Sequence, residues 1–456
     1  MKYILLLFCL GCNTLLAQTS FTRLQQRFDS LEQALPYREA GISFVLTDIK
    51  TGKILFKKNR DLLLPPASTL KTFTTASAFH YLGSDFRYRT RVVFKGSIKN
   101  NVAYGKLIIY GSGDPSLGSD RFDETKPELV KKQLLNALRK QGIQKFNGRI
   151  EIVSDIFTDP GINKSWLEED IANYYGAGVY GFNWKENKFE ISMVPTETSF
   201  DVRSNSAGYD NQKDFCLELI HKDGASTEEA FAFFENQRSC RYVLRGFLTN
   251  KEKVQSMQLA RLHPDRDFKN ELTDYLKKEL KFEEKDTLLN TIEKTITTIV
   301  SPPLSKLVYW CNQKSLNLYA DAFCKTIAVS LYKKGNWPSG ISAMLKFARQ
   351  RGIDTSGVSL LDACGLAPEN KITTQILASM LRKNTIEKWY PAFYESLPLI
   401  NELHMKSGYI GGTRSYAGYL TLKDGRKTCF AFILNNYRST PKEAKLEMFR
   451  LLDLLK

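Results

Sequence analysis

The chain has 456 residues, a formal net charge of +16, 43% hydrophobic residues and 25% charged residues. These proportions exclude a disordered, collagen-like or polytopic membrane chain, and at about 150 residues per domain the length predicts two to four domains. The histidines His80, His221, His263 and His404 are scattered and form no His-x-x-x-His pair. That argues against a catalytic zinc site, and neither metal nor cofactor is expected.

Met1-Lys2, the apolar run Tyr3–Cys12 and the small residue Ala17 predict a secretory leader over residues 1–17. The run is too short to span a bilayer, and no later stretch is long and apolar enough to do so. The protein is therefore expected to be exported, to the periplasm. Lipoprotein processing before Cys12 is the rival, disfavoured by Cys9 and the short apolar core. Export permits disulfides, but a chain of this length has core enough without them. Cys216, Cys240, Cys311, Cys324, Cys364 and Cys429 are read as small buried hydrophobes, with Cys216–Cys240 the leading exception. The positive charge forms no aromatic-interleaved stripe, so nucleic-acid binding has no support. A basic exported protein fits peripheral association with an anionic wall or membrane surface.

A helical apolar period covers Ser20–Leu35, through Phe21, Leu24, Phe28, Leu31 and Leu35. Two β-rich runs, Ile42–Thr47 and Ile54–Phe56, flank the turn Lys50-Thr51-Gly52 and predict a hairpin. After Pro65-Pro66 a helix is expected from Ser68 to Leu82. Between about 90 and 295, short β-rich runs (Arg89–Phe94, Gly105–Ile109, Arg149–Val153, Phe189–Met193) alternate with polar loops. Helices are expected near Pro127–Gln141 and, within a lysine-rich stretch over 251–300, around Leu272–Leu280. Late in the chain, Ser415–Leu422 and Thr428–Leu434 flank Asp424-Gly425, a second hairpin. A terminal helix over Pro441–Leu455 opens on a Thr440/Glu443 capping box. The two ends of the chain are thus expected to share one antiparallel sheet.

Three short segments could carry chemistry. In Ser68-Thr69-Leu70-Lys71 a spacing of three puts the amine one helical turn from the hydroxyl. Serine is a weak nucleophile that needs an adjacent base, and lysine serves only when uncharged, a state that burial and the positive end of a helix dipole both favour. Ser439-Thr440-Pro441-Lys442 has the same spacing, but there the hydroxyls cap a helix. Lys406-Ser407-Gly408, before the final hairpin, offers a cation and a hydroxyl beside a glycine, a combination suited to a carboxylate; Lys50-Thr51-Gly52 is its decoy at a hairpin tip. Ser315-Leu316-Asn317 places a hydroxyl and an amide between two helices. His404, two residues before Lys406, reads as structural, and Trp166, Tyr174, Tyr175 and Trp184 as aromatic core of the middle region rather than a stacking surface.

In this order the segments form Ser-x-x-Lys, Ser-x-Asn and Lys-Ser/Thr-Gly, the signature of penicillin-recognising serine enzymes. The sequence resembles the D-Ala-D-Ala carboxypeptidase/endopeptidase family of low-molecular-mass penicillin-binding proteins. The long separation of Ser68 from Ser315 matches a branch with domains inserted after the serine helix. Further matching stretches include Gly111–Leu117, Tyr175–Ala177 to Asn187, Ser301–Leu304, Asn317–Ala320, Asp362–Leu366, His404–Gly408 and Phe430–Asn436, so the resemblance covers roughly residues 25–455.

The resemblance implies an α/β (α+β) fold: a β-lactamase/transpeptidase-like domain over 20–90 and 296–456, with an antiparallel sheet, flanking helices and a helical lobe, carrying one or two inserted α+β domains over 91–295. It implies that Ser68 attacks the penultimate D-Ala carbonyl of a peptidoglycan stem peptide, that Lys71 takes the proton and that Ser315 passes one to the leaving amine. Asn317 would hold the acyl donor's amide near Lys71. Lys406 and Ser407, beside Gly408, would bind the terminal carboxylate, and the Ser68 and Tyr409 N–H groups would form the oxyanion hole. β-Lactam antibiotics would acylate Ser68 as covalent inhibitors. A β-lactamase and an inactive wall-binding relative are the alternatives. Leu316, Ser407, Tyr409 and Asp362-Ala363-Cys364-Gly365 depart from the family pattern, the last leaving loop geometry open, yet no reacting group is lost.

Overall fold

The computed structural model describes residues 21–196, 200–204, 209, 213–221, 229–235, 241–248, 254–285 and 292–456; the leader, Cys12 and Cys240 lie outside them. The chain divides into two compact units, one of Met1–Ser84, Val308–Leu316 and Gly340–Lys456, the other of Asp85–Leu307 and Asn317–Ser339.

The first unit is built on a six-stranded antiparallel sheet that draws on both ends of the chain. Its strands are β1 (Gly41–Asp48), β2 (Ile54–Lys58), β3 (Leu399–Ile400), β4 (Leu403–Ile410), β5 (Thr413–Thr421) and β6 (Lys427–Asn435), in the spatial order β3-β4-β5-β6-β1-β2. β1 runs beside β6 from Gly41↔Asn435 to Asp48↔Thr428, as the hydrophobic pattern at both ends led one to expect. One face is covered by helix α1 (residues 21–33) and by the terminal helix, Pro441–Asp453. Phe28 of α1 sits against Phe44, Phe56 and Phe432 with ring centroids 5.6–5.7 Å apart. Truncating so well surrounded a ring costs about 3–5 kcal/mol. The terminal helix starts where it does because Thr440 accepts from the Glu443 N–H while Glu443 reaches back to the Thr440 N–H, with Pro441 in the first turn.

The opposite face meets a helix, α3 (Thr374–Asn384), on which the helix α2 (Lys71–Leu82) packs in turn. Tyr419 Oη donates to the Leu381 carbonyl at 2.9 Å, and the Ser43 and Thr374 hydroxyls meet at 2.7 Å. Cys311, Cys364 and Cys429 are buried in this unit.

The second unit has a five-stranded mixed sheet with Lys145–Val153 parallel to Val102–Tyr110, flanked on one side by Arg89–Lys99 and Ile292–Val300. Helices Pro127–Lys140 and Pro264–Leu280 share its core. The latter begins earlier than its apolar period, because Pro264 supplies a ready-made first turn. Ile292–Val300 falls in a lysine-rich stretch for which only the helix around Leu272–Leu280 was expected, and its β-branched run pairs with Arg89–Lys99 as a strand. Two three-stranded sheets complete the unit around Phe189, Phe215 and Tyr242. Trp166, Trp184 and Cys324 are buried, as expected of core, whereas Tyr174 is exposed and packs edge-on against Tyr175.

Candidate active site

Pro65-Pro66 ends the approach to α2, and Ala67–Leu70 form one 3-10 turn before the regular helix begins at Lys71. Ala67 is buried with φ +47°, a left-handed conformation that costs a residue with a Cβ about 1 kcal/mol or more. The kink leaves the Ser68 hydroxyl half-buried at the head of the helix, while Lys71 is completely buried. Lys71 Nζ donates to Ser68 Oγ at 2.9 Å and to the Cys364 carbonyl at 2.7 Å. The spacing of three thus delivers the hydroxyl–amine pair expected of it.

The Cys364 carbonyl is aimed by a side chain to which sequence reasoning assigned no role. Buried Asp362 accepts from the N–H groups of Gly365, Leu366 and Ala367 at 2.7–2.9 Å and from Asn370 Nδ2 at 2.8 Å. This folds 362–367 into a tight loop. Gly365 has φ +86°, and a Cβ there would lie 1.9 Å from the Ala67 carbonyl oxygen, so the loop and the kink before Ser68 fit together only with glycine. Lys71 uses the backbone at 364, which explains why Cys364 is tolerated in a segment whose side chains depart from the family pattern.

Ser315 lies in the turn after the helix Leu304–Gln313. Its φ is +55°, and the turn is closed by Leu316 N donating to the Cys311 carbonyl at 3.0 Å and by the Cys311 thiol 3.6 Å from the Leu316 carbonyl. Asn312 Nδ2 ties this helix to α2 through Thr75 Oγ1 and to Ser396 Oγ at 2.8 Å. Two strained serine segments, Ala67–Ser68 and Ser315, are therefore fixed against each other.

Lys406, on β4, is 1% exposed and donates to Ser315 Oγ at 3.0 Å and to the Ser407 carbonyl at 2.8 Å. Burial, reinforced by the nearby Lys71 cation and opposed by Cys311, brings its pKa down to about 7. β4 is pressed onto the serine turn: a Cβ at Gly408 would lie 2.8 Å from the Ser68 nitrogen and 2.3 Å from Ser415 Oγ, which itself donates to the Pro66 carbonyl at 2.6 Å. Only a glycine permits this approach. Ser407 is half-buried, and Tyr409 is half exposed.

Ser68, Lys71, Ser315, Lys406, Ser407, Gly408 and Tyr409 thus all belong to the first unit. Asn317 opens the helix Asn317–Tyr332 of the second unit, and its Nδ2 donates to the Tyr175 carbonyl at 2.8 Å. The decoys resolve as turn and cap. Asp48 accepts from the Thr51 N–H and hydroxyl at 2.7 and 2.8 Å, and Ser439-Thr440 precede the terminal helix. His404 is structural, its Nδ1 3.3 Å from the Leu397 carbonyl and its ring 4.4 Å from that of Tyr394. Asp362, Gly365 and Ser415 are the contributors that motif spacing did not expose. Their only sequence signal is an Asp three residues before a Gly, and a Ser in the strand after Lys-Ser-Gly.

Two lysine–serine pairs on one unit, one lysine with its pKa drawn down to neutrality, are equipment for acyl transfer through a serine ester. Comparison with known proteins agrees. The chain is 23% identical to D-alanyl-D-alanine carboxypeptidase DacB of Haemophilus influenzae, over 91% of this chain and 89% of that one. It is also 23% identical to a D-alanyl-D-alanine carboxypeptidase of an Actinomadura species, over 95% and 85% of the two chains. The fold matches the crystal structure of penicillin binding protein 4 from H. influenzae with a TM-score of 0.77 and 22% identity, covering 93% of this chain and 97% of that one. Residues 24–402 match the D-Ala-D-Ala carboxypeptidase 3 (S13) family, and the chain belongs to that family of serine-type DD-peptidases.

Proposed function

We propose that the protein is exported and hydrolyses D-Ala-D-Ala ends and cross-links of peptidoglycan stem peptides through an acyl-enzyme on Ser68. The observation that carries this reading is the pairing of Lys71 with Ser68 at 2.9 Å and of Lys406 with Ser315 at 3.0 Å. As Ser68 Oγ bonds to the penultimate D-Ala carbonyl carbon, its proton moves to the Lys71 amine. The developing oxyanion is held by the N–H groups of Ser68 and Tyr409. The Ser315 hydroxyl gives its proton to the leaving nitrogen and regains one from the Lys406 ammonium; the C–N bond breaks and D-alanine departs. Water then adds to the ester carbonyl and gives a proton by way of Ser315 to the Lys406 amine, while the Lys71 ammonium returns its proton to the Ser68 oxygen as the peptide acid leaves, which restores both lysines. A Lys406 pKa of about 7 suits this relay, since both its forms are populated at neutral pH.

Lys406 and Ser407 bind the terminal carboxylate in this scheme, Gly408 keeps β4 against the serine turn, and Asn317 orients the acyl donor's amide. β-Lactams, which present a carboxylate and a strained amide in the same relation, acylate Ser68 and act as covalent inhibitors. The catalytic domain is assigned to residues 20–90 and 296–456 with an insertion over 91–295, and residues 1–17 to a leader directing the chain to the periplasm. Among the described residues no helix is long and apolar enough to cross a membrane.

Release of D-alanine from a purified stem pentapeptide, beside Ser68→Ala and with fluorescent-penicillin labelling, tests the reading. Release and stable label in the wild type and neither in Ser68→Ala are expected. Rapid turnover of the label without D-alanine release would make the protein a β-lactamase, and absence of both would make it a wall-binding relative.

A further inference from the structure

Three successive residues with side chains, Lys185, Glu186 and Asn187, have φ of +54°, +55° and +50°. The left-handed region crowds a Cβ against the backbone, so glycine is its ordinary occupant. A run of other residues persists there only where the surroundings hold it. Here they do. The Lys185 N–H donates to the Leu117 carbonyl at 3.0 Å, Asn187 Oδ1 accepts from the Trp184 N–H at 2.9 Å, and the Asn187 carbonyl accepts from the Arg261 N–H at 2.7 Å.

What the strain secures is the direction of two buried side chains, and both lead to Asn317. Glu186 accepts through Oε1 from Ser119 Oγ and Arg121 Nε, each at 2.8 Å, and from Tyr319 Oη at 3.0 Å. Burial would raise its pKa, but Arg121 and Lys188 beside it hold it below the ordinary value, so it stays a carboxylate and an acceptor. Tyr319 lies in the same first turn of the helix Asn317–Tyr332 as Asn317 itself. On the other side, completely buried Asn187 donates from Nδ2 to the Gly178 carbonyl at 2.8 Å and to Asn183 Oδ1 at 2.7 Å. Gly178 follows closely on Tyr175, whose carbonyl accepts from Asn317 Nδ2 at 2.8 Å.

These links close a ring: from Asn317 to the segment 175–178, on to the left-handed turn, and through Tyr319 back to the helix that Asn317 opens. All of it lies within the second unit. The ring grips the Asn317 amide twice, its backbone through Tyr319 and its side chain through the Tyr175 carbonyl. A glycine turn would avoid the strain but would supply neither contact. A buried carboxylate–arginine pair adds little net stability over apolar packing, so stability alone does not account for keeping one in a strained turn.

We propose that Glu186 and Asn187 are positioning residues for Asn317, and that the left-handed turn they occupy sets where the Asn317 amide meets the acyl donor. This rests on the role given to Asn317 above and adds the device that aims it.

Two variants test it. Tyr319→Phe removes the hydroxyl that joins the helix to Glu186 and keeps the volume of the ring. Asn187→Gly keeps the left-handed backbone and removes the link to Gly178. Each is expected to slow acylation of Ser68 by fluorescent penicillin about tenfold, the scale of a slightly misplaced group, and to lower kcat/KM for D-alanine release alike. The deciding measurement is a double-mutant cycle: in an Asn317→Ala background either change is expected to cost less than about twofold, because the group it aims is gone. A merely structural contribution would cost the same with and without the Asn317 amide. That result, no loss from either variant, or a wild type that takes no label would overturn the inference. The DD-peptidase reading fails separately, through a wild type that releases no D-alanine while the labelling cycle still shows the coupling.

Discussion

Lys406 is close enough to Lys71 for the charge of one to depress the pKa of the other, yet each amine hydrogen-bonds a different serine, Ser315 at 3.0 Å and Ser68 at 2.9 Å. Two cations side by side in a dry site repel, and loss of one proton is the cheapest relief. Lys406 is therefore set up to give and take a proton beside Ser315 near neutral pH, while Lys71 stands against the other hydroxyl.

With a Lys406 pKa of about 7, the ammonium proposed to bind the substrate carboxylate is lost as the pH rises through neutrality. For a free-acid peptide, kcat/KM is expected to fall about tenfold per pH unit above 7, while the limb in kcat moves to higher pH because a bound carboxylate stabilises the ammonium. Initial rates from pH 5.5 to 9.5 check this; a kcat/KM flat to pH 9 would refute it.

The same group makes stability depend on pH. Its folded pKa lies below the unfolded value near 10.5, so between about 7 and 10.5 the unfolded chain binds more protons and stability rises with pH. Below pH 7 the native state bears the full cost of a buried ammonium. Lys406→Met is therefore expected to be inactive yet more stable at pH 6, by about a few kcal/mol, with the gain shrinking toward pH 10. Thermal melts of both proteins at the two pH values measure it.

Gly408→Ala brings a methyl to 2.8 Å from the Ser68 nitrogen, a backbone atom that cannot step aside without moving Ser68, the proposed nucleophile. β4 must retreat, so penicillin acylation is expected to slow about a hundredfold or more, whereas the melting temperature falls only modestly. Stopped-flow labelling against thermal melts separates the two effects.

Asp362→Ala strips three N–H groups and Asn370 of their shared acceptor inside the protein. A loss of about 3–5 kcal/mol is expected, with acylation impaired because Lys71 loses the carbonyl that orients it. Asp362→Asn, which keeps part of the acceptor capacity, should fall between. Denaturant titration gives the ranking.

The pattern of what could be read beforehand follows from the range of the interactions. The Ser68–Lys71 pair, the Thr440 cap and the Asp48–Thr51 turn are all made within four residues, so spacing and residue type suffice to foresee them. Both hairpins were legible because alternation and turn residues are equally local. The left-handed backbone at Ala67 and Ser315 was not, since neither residue favours it alone; Gly365, Asp362 and Cys311 impose it from elsewhere in the chain. Nor was the strand Ile292–Val300, a β-branched run whose pairing depends on a partner, Arg89–Lys99, from a remote part of the sequence.

The seam between β1 and β6 joins an early segment to one near the C-terminus. Such a remote pairing makes for slow assembly, because almost the whole polypeptide must be available before the seam can close. The lysine of β4 and the serine turn it abuts meet only across that late-formed sheet. During synthesis Ser68 and Lys71 therefore exist long before Ser315 and Lys406 do, and the four come together at once, with the last strands, rather than by degrees.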